Sequence, residues 1–195
     1  MSMRACLNSC IFVLVVFFSL GCGHKDPLII EGEVADEHLN GEKIYLVPFK
    51  NPTQAKVDSV IIENKKFRFK KREQDTSVYI LRARPLLRLR LEEILVVSEP
   101  GTLHVILDKS SRAMGTPLND SLQAWKEEKI RRDRQLNELR SSKATEKKID
   151  SLKSDNIRFH YKFVKNNFDN AAGQLVYEIM NEAFSAQQKN KLESN

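Results

Sequence analysis

The spacing of apolar side chains changes once along this 195-residue chain, near Gly115, and that change limits the fold class. Before it the period is two. In Lys66-Phe-Arg-Phe-Lys70 the two phenylalanines fall on one face and the basic residues on the other. Leu87, Leu89 and Leu91 likewise oppose Arg88 and Arg90. Successive side chains of a strand point to opposite faces, so such alternation describes a sheet with one dry and one wet side. That pattern favours antiparallel pairing. Strands are expected over 28–34, 42–49, 57–62, 66–70, 77–81, 87–91, 94–97 and 102–107, with turns at Asn51-Pro52 and Glu63-Asn64-Lys65. Short strands at this spacing predict a sandwich or open barrel.

After Gly115 the period is helical. Thr116 suits an N-cap and Pro117 the first helical position. A first helix is expected to about Arg140, its middle, Lys126 to Asp133, charged and solvated. A second spans about Thr145 to Asn167, with Ile149, Leu152, Phe159 and Phe163 as its apolar stripe. That stripe packs on the strands or the first helix, or else forms a docking surface. A third helix is expected from Ala171 to about Gln188, with a frayed end from about Lys189. The predicted fold class is α+β: an antiparallel β-sandwich-like domain over 28–115, then a helical segment of two to three helices over 116–195.

The apolar run Ile11 to Cys22 is preceded by Arg4 and closed by small residues. It is about half the roughly 20 apolar residues of a spanning helix. Its layout is that of a secretory signal. Ser19-Leu20-Gly21-Cys22 resembles the lipobox of bacterial lipoproteins, with Ser19 where Leu is usual. The resemblance implies a signal peptide over 1–21, lipid (palmitate) on the Cys22 thiol and a polar tether over 22–27. Gly23 offers no acidic inner-membrane retention signal, so the expected place is the outer membrane, facing the periplasm or the cell surface. The other two cysteines, Cys6 and Cys10, leave with the signal. The mature chain then has no free thiol, and thiol–disulfide chemistry of its own is excluded.

Other chemistry has no visible residue set. His24, His38, His104 and His160 are not at metal-ligand spacing, so no metal or cofactor is expected. Ser59, Ser98 and Ser121 lie in no nucleophile motif. Glu92 and Glu93 are adjacent, and on a strand would point to opposite faces. The chain is therefore expected not to be an enzyme. The net charge of +6 is mild. For an exported chain it points to anionic lipid, glycan or an acidic protein, not nucleic acid. Arg68, Lys70, Arg82, Arg84, Arg88 and Arg90 form a possible anionic-ligand face if their strands pair; otherwise they are a solvated sheet face.

Six segments in order are Ile30-Glu-Gly-Glu-Val34, Lys43-Ile-Tyr-Leu46, Asp58-Ser-Val60, Lys66-Phe-Arg-Phe69, Ser98-Glu-Pro-Gly-Thr102 and Gly115-Thr-Pro-Leu-Asn-Asp120. Together they resemble the domain of unknown function 4369, common in exported lipoproteins of the Bacteroidota. The resemblance covers about Leu28 to Trp125. In that family a helical linker and a thioredoxin-like domain often follow. No Cys-x-x-Cys occurs here, so that redox activity is not carried over. The expected function is a lipid-anchored envelope protein acting as a non-enzymatic binding module. The alternative is an accessory to envelope thiol–disulfide oxidoreductases.

Overall fold

The computed structural model describes residues 26–72, 76–83 and 93–194. Cys22, His24, Arg84, Arg88, Arg90 and the expected strand 87–91 lie outside the described residues. Among the described residues eight strands precede the helices: β1 (Leu28–Val34), β2 (Lys43–Pro48), β3 (Asp58–Ile61), β4 (Lys66–Lys71), β5 (Val78–Arg82), β6 (Glu93–Val97), β7 (Gly101–Leu107) and β8 (Arg112–Met114). The first sheet has the order β4-β1-β7-β8 and the second β3-β2-β5-β6. Pairing is antiparallel except for β1 and β7, which run parallel.

Alternation along these strands builds the core between the two sheets. Ile30, Val34, Leu103 and Leu107 face inward from the first sheet, and Ile44, Leu46, Leu81 and Val96 from the second. The chain crosses from second sheet to first at the β3–β4 turn. There Asn64 and Lys65 both take positive φ, 51° and 64°, the conformation of a tight primed hairpin turn. The Asn40 carboxamide oxygen accepts the Lys65 N–H at 2.6 Å and holds that turn.

Four helices follow: α1 (Pro117–Ser141), α2 (Glu146–Asn166), α3 (Ala171–Met180) and α4 (Ala186–Glu193). They cover the outer face of the second sheet. Phe49, Val78, Leu95 and Val97 of that face share one apolar cluster with Trp125, Val164, Leu175 and Phe184. The result is three layers, sheet on sheet on helices. Among the described residues no helix is long and apolar enough to cross a membrane.

Two helical expectations are corrected. The single third helix breaks at a 3₁₀ turn over Asn181–Ala183, and Phe184 is extended. Ser185 and Gln188 then form a reciprocal capping box that starts α4. The end is not frayed, because the turn brings Phe184 and Leu192 into the core. Phe184 meets Tyr161 edge-on and stacks on Tyr177. On α2, the buried line is Asn156, His160 and Val164, while Ile149, Leu152, Phe159 and Phe163 are only half-buried. Buried polar groups can hold a helix face when they are bonded, and both are.

Candidate functional site

Two of the quoted segments, Ser98–Thr102 and Gly115–Asp120, come together where α1 leaves the sheets. The Glu99 carboxylate accepts the Leu118 and Asn119 N–H groups at 2.7 and 3.2 Å. It thereby satisfies free donors at the helix start and places a negative charge at the positive end of the helix dipole. Thr116 stands at the N-cap position, but its hydroxyl accepts the Asn119 side-chain N–H at 2.8 Å instead of capping. The Asp120 carboxylate accepts the Gly115 N–H at 2.7 Å. Gly115 has φ of 122°, and a Cβ there would lie 2.6 Å from the Thr102 carbonyl oxygen. Only glycine meets both conditions.

Asn119 and Gln123, one turn apart on α1, reach both sheets. The Asn119 carboxamide accepts the Val97 N–H and donates to the Val97 carbonyl, each at 2.8 Å. It behaves as one residue of a further strand on β6, the edge of the second sheet. Gln123 accepts the Ala113 N–H of β8, the edge of the first, at 3.3 Å. Side chains four apart face the same way, so one helix face closes two open edges. These segments do structural work, and nothing in their spacing alone showed that they would meet.

The expected basic face divides. Arg68 and Lys70 lie on the outer face of β4 in the first sheet, whereas Arg82 lies on β5 in the second. They do not share a sheet face. Glu31 stands opposite Arg68 at 3.5 Å and near His104 at 3.9 Å, and Glu33 is the register partner of Lys66. Among these, Lys70 pairs in register with the apolar Ile29. Arg82 is half-buried opposite Glu93, with its Nε buried and without a hydrogen bond. Among the described residues no group of three possible metal ligands occurs. Ser59 is exposed, Ser98 buried, and Ser121 half-buried.

The remaining prominent feature is an arm. From Lys126 to Asp155, across the end of α1 and the start of α2, no residue is buried. Its surface is laced with ion pairs, including Glu128 to Arg131 and Arg132 and Lys129 to Asp133. The two guanidinium groups hold the Glu128 carboxyl down at about 2. At the root of the arm, Trp125 donates its indole N–H to His160 Nδ1 at 3.1 Å. Arg132 stacks over Phe159, 4.6 Å from its ring centre. Burial, with Lys129 and Arg132 nearby, lowers the His160 pKa to about 4, so the ring is neutral and accepts that bond.

A separate cleft of about 810 Å³ opens beside α3, lined by Lys50, Lys56, Lys71, Asp169, Gln174 and Glu178 among others. Lys50 is paired with Glu178 and Lys71 with Asp58, both at 2.6 Å, so two of its three lysines are already balanced.

No curated protein and no solved structure matches the chain. Residues 28–122 match the family described as a domain of unknown function, DUF4369. The match runs from the first residue of β1 to Leu122, and so ends just past the Asn119 contact that docks α1 on β6. Residues 28–122 are thus a DUF4369 domain.

Proposed function

We propose that this chain is a lipid-anchored protein of the cell envelope, held at the outer membrane through Cys22, that works as a non-enzymatic binding module. The arm is its contact element. One observation carries this reading: 30 consecutive positions, 126–155, form a helical hairpin in which no residue is buried. The core of the molecule does not use that hairpin. Its half-buried Ile149 and Leu152 and its exposed Ile130 supply apolar contact points within a charged surface.

The test is site-specific photocrosslinking in intact cells, with the photoreactive residue at Ile130 and a control at Lys70 on the first sheet. A single protein adduct from Ile130 and none from Lys70 is the expected result. A thioredoxin-like adduct would specify the module as an accessory to thiol–disulfide exchange. Adducts from Lys70 alone, to glycan, lipid or protein, would overturn the assignment to the arm.

A further inference from the structure

A second cleft, of about 400 Å³, lies between the outer face of the second sheet and α1. That volume falls within the ~300–1,000 Å³ of small-ligand sites. Its sheet wall is Ile80 and Leu95, both half-buried, and its helix wall is Leu122 and Trp125. Phe49 and Ile179 also line it, and Ile179 is 42% exposed although it is a large apolar residue. The neutral polar groups in the lining, Asn119 and Gln123, are occupied by Val97 and Ala113. The body of any ligand there meets apolar surface.

The charges in the lining are Glu93, Lys126 and Lys129. Lys129 is neutralised by Asp133 at 2.5 Å, and Glu93 stands opposite Arg82 in the strand register. Lys126 differs. Its ammonium donates to the carbonyls of Ser110, at 2.9 Å, and Ser111, and among the described residues it has no ion pair with a carboxylate. Burial works against its charge, and Asp108 and Glu127 offset that only at longer range, so an anion in the cleft would stabilise it.

We propose that this cleft binds a single-chain amphiphile, an aliphatic chain with one anionic head group, and that Lys126 holds the head. Apolar walls take the chain, and Lys126, the lysine of the lining without a direct carboxylate contact, takes the anion. The head could belong to a free fatty acid or to an anionic monoacyl phospholipid; both present the same chemistry. The site shares Lys126 and Lys129 with the base of the arm but none of the arm's apolar contact points, Ile130, Ile149 and Leu152.

The test uses the full chain in vesicles of zwitterionic phospholipid with two diazirine-bearing probes, tetradecanoic acid and the matching alcohol, followed by peptide mapping. The acid is expected to label peptides carrying Leu95 and Leu122 saturably. Lys126→Met should lower acid labelling about tenfold and leave alcohol labelling unchanged. Leu95→Trp, which fills the cleft from the other wall, should abolish both, so one variant failing to fold leaves the test intact. Competition by unlabelled tetradecanoate or by monoacyl phosphatidylglycerol tells the two sources apart. Labelling scattered over the surface, absent, or unchanged by either folded variant would overturn the proposal.

Discussion

At Gly32 the missing side chain is a packing requirement. A Cβ there would sit 1.9 Å from the Phe67 ring, which fills the space above the glycine from the neighbouring strand. Phe67 also meets Phe69 edge-on at 6.2 Å, so it has little room to move away. Gly32→Ala should therefore destabilise by about 1–3 kcal/mol, as overpacking of a close-packed core does. Phe67→Leu should recover part of that loss in the double variant, read as a coupling energy from urea melts. His160 makes a second prediction at this scale. Its folded pKa, about 4, is below the ordinary 6.5. Between those values the unfolded chain binds the proton and the folded chain does not. Stability is thus fully present above pH 6.5 and falls as pH drops towards 4, by up to about 3 kcal/mol. Comparing wild type with His160→Gln in urea melts at pH 7 and pH 4.5 isolates the effect. A loss on acidification equal in both proteins would show that His160 is not its source.

At the scale of elements, the junction of α1 with the two sheet edges is the joint that the fold depends on. Asn119 is 1% exposed, and it satisfies both backbone groups of Val97, itself fully buried. Asn119→Leu keeps the branched shape but leaves those groups unpaired, and such groups cost ~1–3 kcal/mol each. A loss of about 2–4 kcal/mol with an unchanged denaturant slope is expected. A loss under about 0.5 kcal/mol would mean water replaces the amide. The elements themselves were largely legible. Alternation at Lys66 to Lys70 assigned β4 and its faces, and Pro117 marked the first residue of α1. What alternation cannot supply is a partner strand. It places Arg68 and Arg82 on strands but not on sheets, and those sheets differ. β8 has three residues, too few to show a period. On α2 the expected stripe keeps Phe159 and Phe163 against the helical cluster, but the buried positions are Val164 and the polar Asn156 and His160, which an apolar period does not mark. For α4 the signal in the sequence is the Ser185 to Gln188 spacing of a capping box. The interlock of Glu99, Thr116 and Asn119 was visible only as a pair of short motifs, since their contact spans about 20 positions.

For the whole molecule, a boundary near Gly115 separates two kinds of periodicity but not two cores. The outer face of the second sheet presents Phe49, Val78, Leu95 and Val97, and among the described residues the helices cover it. The helices in turn bury Leu122, Trp125, Leu175 and Val176 against that face and each other. Neither layer can expose its half of this cluster without loss, because burial of apolar surface is worth ~25 cal/mol per Å². The β-sandwich and the helices should therefore unfold together. The chain carries one tryptophan, Trp125, and it sits at the root of the arm, buried between α1 and α2. Its fluorescence reports the helical layer, while far-ultraviolet circular dichroism reports strands and helices together. In urea the two transitions are expected to coincide, with one midpoint and one slope. A Trp125 transition that precedes the dichroism signal would mean that the helices dissociate first. The sandwich would then stand as a separate unit, and the shared cluster would be a weak contact instead of a common core.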